Sequence, residues 1–80
     1  MENKYISYLE DIVKGIVKNP EDVKIEKIKD DMGILLKLSL SKEDLGVVIG
    51  KGGETIKAIR TLINIVGRQE NAKVSVKIIE

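Results

Sequence analysis

Three glycines within four residues, Gly50-Lys51-Gly52-Gly53, interrupt the second half of this chain and dictate how it must be laid out. Neither a helix nor a strand runs comfortably through such a cluster, because glycine loses more backbone freedom on ordering than any other residue. The glycines must instead join two elements by a tight turn. Before them stands Ser41-Lys42-Glu43-Asp44, the Ser-x-x-acid spacing of a capping box, in which hydroxyl and carboxylate each satisfy a backbone N–H at a helix start. A short helix is therefore expected from Lys42 up to the glycines. The β-branched Val47-Val48-Ile49 would suit a strand by propensity, but the cap and Gly46 within the run favour a helix. Beyond the glycines, a longer helix over about 53–67 would bury Ile56, Ile59, Leu62, Ile63 and Val66. It would turn Lys57, Arg60, Thr61, Asn64 and Arg68 to the opposite side, with Gly67 as its C-cap.

The same patterning organises the rest of the chain. Residues 3–18 place Tyr5, Leu9, Ile12, Val13, Ile16 and Val17 at helical spacing, and Asn19-Pro20 must end that helix. Tyr5 and Tyr8, the only aromatic residues, are expected to pack rather than stack on bases. Residues 23–29 alternate imperfectly, whereas residues 34–40 set Ile34, Leu36, Leu38 and Leu40 on one face, and the turn-forming Asp30-Asp31-Met32-Gly33 between them predicts an antiparallel hairpin. The phase slip between Ile25 and Ile28 points to a bulge. Residues 72–79, with Val74, Val76 and Ile78 alternating against Lys73, Ser75 and Lys77, form a last strand. The expected order is α-β-β-α-α-β, an α+β domain.

Composition narrows the chemistry. Eighty residues supply one domain at most, expected to span 1–80, and 42% hydrophobic with 34% charged residues is a folded and not a disordered balance. With no cysteine and no histidine there is no disulfide, no ordinary zinc set and no triad, so neither an enzyme nor a metal cofactor is expected. Apolar runs stop at three residues against the roughly 20 that span a bilayer, and the N-terminus lacks a signal pattern; a cytoplasmic location without membrane contact is expected. The net charge of +1 is unevenly spread. Residues 1–44 carry eight basic and ten acidic side chains, residues 45–80 six and three.

That basic excess gathers around the glycines. Over residues 50–68, Lys51, Lys57, Arg60 and Arg68 face only Glu54, a local charge of +3. A glycine turn at a helix N-terminus presents backbone N–H groups and the positive end of the dipole, and lets a bulky anion approach closely. The spacing is wrong for a Walker loop: Lys51 comes one position too early after Gly46 and no hydroxyl follows it. It is also wrong for a dinucleotide fingerprint, since Thr55 stands where the third glycine belongs.

The segment Val48-Ile49-Gly50-Lys51-Gly52-Gly53-Glu54-Thr55-Ile56 resembles the KH domain, whose mark is V-I-G-x-x-G-x-x-I. With helix and hairpin before the motif and helix and strand after it, the order resembles the type II arrangement, a three-stranded sheet with helices packed on one face. Asp44-Leu45-Gly46 together with Lys57-Ala58-Ile59-Arg60-Thr61 is similar to stand-alone bacterial RNA-binding proteins of the KhpA type. The resemblance implies a free-standing domain that clamps about four nucleotides of single-stranded RNA, as an RNA chaperone or post-transcriptional regulator. Gly50 and Gly53 would shape the loop, Lys51 and Gly52 would meet phosphates, and Gly46 and Ile49 would line or permit the groove. Lys57 and Arg60 are added on electrostatic grounds. Without Phe or Trp there is no aromatic platform, so aliphatic contacts must carry the bases. Glu54 places a carboxylate near the phosphate path, where related proteins often carry a basic residue; it also suits a first helical turn.

The resemblance further implies homodimers and a larger KH-containing partner of the Jag type, with consequences for cell division and cell shape. A protein-interaction module acting mainly through such pairing is the alternative reading. A type II domain belonging to a longer, NusA-like factor is a third arrangement of the same motif, which Met1 disfavours.

Overall fold

The computed structural model describes residues 3–79. Its elements follow the expected order: α1 (Lys4–Ile16), β1 (Lys24–Asp30), β2 (Gly33–Ser39), α2 (Lys42–Ile49), α3 (Glu54–Gln69) and β3 (Val74–Ile79), with 3-10 turns at Pro20–Asp22 and Lys51–Gly53. The sheet order is β1-β2-β3. β1 pairs antiparallel with β2, and β3 returns parallel to β2 on its other side. A parallel return needs a long crossover, which α2 and α3 supply.

One face of the sheet carries the core. Ile34, Leu36 and Leu38 lie beside Val74, Val76 and Ile78 in register, and Leu36, Leu38, Val74 and Val76 are buried. Tyr5, Leu9 and Val13 of α1, Val48 of α2, and Ile56, Ile59 and Ile63 of α3 close over them. The expected three-stranded α+β fold is therefore formed, with α1 and α3 packed against each other.

Several local expectations are corrected. There is no bulge in β1: every residue from Lys24 to Asp30 has a partner in unbroken register. The phase slip has another cause. Ile25, Lys27 and Lys29 are the residues on the core face, paired with Leu38, Leu36 and Ile34, while Ile28 points to the open face opposite Leu35. Two lysines thus occupy inward positions of an edge strand.

Gly67 is not the C-cap. It lies inside α3 and is buried, and α3 continues to Gln69 before reversing through Asn71 at φ 56°. A Cβ on Gly67 would come within 2.7 Å of Val74 Cγ2, so the glycine permits close approach of helix and strand. Leu62 is half exposed rather than buried, because it falls on the flank of α3 beside Ile65 and not on its core stripe. α1 ends at Ile16, before Asn19-Pro20, with Val17 already extended and Pro20 opening the following 3-10 turn. Tyr5 is in the core and Tyr8 is 49% exposed.

Candidate nucleic-acid interface

α2 is launched by Ser41, whose hydroxyl accepts from the Glu43 N–H at 3.3 Å. The second half of the expected capping box is absent. Asp44 turns instead into the protein, where it is 1% exposed and accepts from the Lys18 N–H at 3.0 Å, the Asn19 N–H at 3.0 Å and the Asn19 side-chain amide at 3.2 Å. The Lys18 N–H first, then the two Asn19 donors, hold this carboxyl below the usual aspartate value against the opposing effect of burial. Asp44 thereby fastens α2 to the segment that leaves α1. Sequence reasoning assigned this residue to the cap, since the Ser-x-x-Asp spacing carries no sign of a long-range partner.

From that anchor α2 runs into the glycines. Gly50 ends it at φ 78°, ψ 172°, its N–H donating to the Gly46 carbonyl at 2.8 Å. A Cβ here would lie 2.7 Å from Thr55 Cβ and 2.8 Å from Thr55 N, so the turn closes tightly on the start of α3. The next glycines differ. Gly52 and Gly53 hold left-handed angles, φ 63° and φ 80°, yet nothing lies within 4 Å of where their side chains would point. Conformation demands glycine there and the space in front is open. Lys51, at the tip, is exposed. Gly53 as N-cap contributes no side-chain acceptor to the first turn of α3, and Glu54 is the acidic residue in that turn.

The expected site residues are therefore brought together in part. Gly46 and Ile49 lie in the last turn of α2, and Gly50, Lys51, Gly52 and Gly53 follow them directly as the turn into α3. Gly46 is an exposed helical glycine with nothing within 4 Å of a Cβ, and Ile49 is half-buried against the core. Lys57 is exposed on the first turns of α3. Arg60 lies apart: its Nε donates to the Val76 carbonyl of β3 at 3.1 Å, so its guanidinium is drawn to the edge of the sheet. Among the described residues there is no cluster able to hold a metal ion and no helix long and apolar enough to cross a membrane.

A three-stranded mixed sheet with two helices joined by a Gly-x-x-Gly turn is the architecture of a type II KH domain. The chain matches the family described as KhpA/KhpB, KH domain, over residues 7–78. It is 51% identical over 69 residues to the RNA-binding protein KhpA of Listeria monocytogenes serovar 1/2a, covering 86% of this chain and 91% of that one. To the RNA-binding protein KhpA of Chlamydia pneumoniae it is 44% identical over 73 residues, 91% and 94% of the two chains. The corresponding protein of Clostridium perfringens is 45% identical over 71 residues, 89% and 95%. The chain belongs to the KhpA/KhpB KH-domain family, which is not a family of enzymes.

Proposed function

We propose that the protein, as one KH domain spanning residues 1–80, binds RNA and clamps a single strand at the Gly50–Gly53 turn. The observation that carries this reading is the open space before Gly52 and Gly53, next to exposed Lys51 and an N-terminus of α3 with no side-chain cap. A phosphodiester fits that opening: backbone N–H groups and the helix dipole meet the anion, and Lys51 adds a mobile charge. Gly46 leaves room beside the turn, and Ile49 and exposed Val47 offer aliphatic contact to bases. Lys57 adds long-range attraction, and Arg60 contributes from the sheet edge. A clamp that reads backbone more than base suits an RNA chaperone or post-transcriptional regulator working in the cytoplasm.

The test is fluorescence anisotropy of a labelled single-stranded RNA at two salt concentrations, with the wild type and with Lys51→Asp/Gly52→Asp. Binding by the wild type that weakens with salt and drops at least about tenfold in the variant, both proteins being folded by circular dichroism, supports the clamp. Equal binding by the two proteins moves the site elsewhere.

A second reading is favoured by Leu62 and Ile65, 50% and 48% exposed on α3, with Tyr8 49% exposed on neighbouring α1. Apolar side chains on two packed helices suit pairing with a second copy or with a larger KH protein of the Jag type, through which effects on cell division and shape would follow. A sedimentation mass of one chain would remove the homodimer.

A further inference from the structure

The C-terminal end of α3, opposite the glycine turn along that helix, carries a second basic feature. α3 runs about 24 Å from the turn to its C-terminus. There, a cleft of about 450 Å³ opens between the start of α1, the inward face of β1 and the turn into β3. Lys27, Lys29 and Lys73 line it against a single acid, Glu70, and none of the three lysines makes an ion pair among the described residues. Lys27 and Lys29 share the inward face of β1 with Ile25, and the Lys27 ammonium lies 5.8 Å from the centre of the Tyr5 ring. Tyr5 is only 2% exposed, and its hydroxyl accepts from the Asn3 side chain at 2.7 Å, both residues lining the cleft. α1 begins here with no acidic residue in its first turn.

Three ammonium groups with no ion-pair partner among the described residues, a buried phenol and a first helical turn without acids make an environment for an oxyanion. Tyr5, the one aromatic ring in the cleft, is too deeply buried to stack on a base. The cleft is also connected to the turn. Lys57, Asn64 and Arg68 share one exposed face of α3, and a neighbouring hollow lined by Asn64, Arg68 and Lys73 leads from that face to the lysines.

We propose that this cleft binds phosphate, either as the backbone of a strand that continues from the turn along α3 or as a free phosphate compound. The strand form rests on the RNA reading of the turn; the phosphate affinity itself does not. Inward lysines on an edge strand also discourage pairing between sheets, a role that requires no ligand.

The experiment compares an RNA of four nucleotides, which the turn alone can hold, with one of about twenty. The proteins are the wild type, Lys51→Asp/Gly52→Asp and Lys27→Gln/Lys29→Gln/Lys73→Gln, with Lys73→Gln alone in case the triple variant unfolds. The lysine variant is expected to bind the short RNA as the wild type does and the long one about tenfold more weakly. Its log-affinity against log-salt slope becomes shallower by about 0.7 for each phosphate that the cleft no longer neutralises. In parallel, 15N-labelled wild type is titrated with inorganic pyrophosphate and with adenosine monophosphate, following the amides of Tyr5, Gly33 and Lys73. Shifts there, abolished in the lysine variant, without any effect on long RNA assign the cleft to a free phosphate compound. Unchanged RNA binding together with no amide shifts overturns the proposal and leaves the lysines as edge protection. If the wild type binds neither RNA, the reading of the turn fails, while the pyrophosphate titration still decides the cleft.

Discussion

The two ends of α3 both depend on glycine, for opposite reasons. At its N-terminus Gly52 and Gly53 face open space and are required by backbone angles alone. At its C-terminus Gly67 has an ordinary helical backbone and is required by a neighbour, Val74, which leaves no room for a side chain. One end leaves open space in front of its glycines and the other brings helix and strand into contact. The contrast separates residues whose loss should impair binding from residues whose loss should impair folding. The open end is carried by α2, whose first turn Asp44 fastens to the segment leaving α1.

The largest effect is expected where that fastening is removed. Asp44→Ala strands three donors, the Lys18 N–H, the Asn19 N–H and the Asn19 amide, in a buried site, and should lower the melting temperature more than any substitution at the turn. Asp44→Asn tests the charge. Because the folded carboxyl titrates below its ordinary value of about 3.9, its ionised form stabilises the protein fully above that pH, and the contribution is lost as pH falls through the lower folded value. The stability gap between wild type and Asp44→Asn should therefore be full at neutral pH and narrow below about pH 4; a gap that widens in acid would refute the assignment.

Next comes the closed end of α3. Gly67→Val forces its side chain against Val74 and the Ala72 carbonyl and should cost about 1–3 kcal/mol in urea denaturation, with RNA affinity of the folded protein unchanged. If stability is kept and binding disappears, the two ends of α3 are not divided as described. The smallest effect is expected at Gly46, an exposed helical glycine without neighbours. Gly46→Ala should stabilise the fold by up to about 1 kcal/mol through helix propensity while weakening RNA binding a few-fold. Stabilisation without any change in binding would place the groove away from Gly46.

Much of the fold is legible in the chain. Amphipathic spacing marks α1 and α3, alternation marks β2 and β3, and Asp30-Asp31-Met32-Gly33 marks the hairpin, because each signal is local and each segment buries one face. The turn and its basic surroundings are readable for the same reason: six of the expected site residues are contiguous or within one helical turn of each other. Arg60 is not, since its attraction to the Val76 carbonyl depends on where β3 returns. Neither is Asp44, whose spacing imitates a cap while its partners lie 25 and 26 residues away.

The sequence alone determined the order of elements, the place of the glycine turn, and the absence of thiol and imidazole chemistry, because these follow from residue type and near-neighbour spacing. Only the tertiary structure decided that β3 pairs parallel to β2, that Gly67 is a packing contact and not a cap, and that Lys27, Lys29 and Lys73 meet at one cleft. Those outcomes depend on which surfaces the crossover through α2 and α3 brings together, and contacts between residues distant in the chain leave no period or motif by which they can be read.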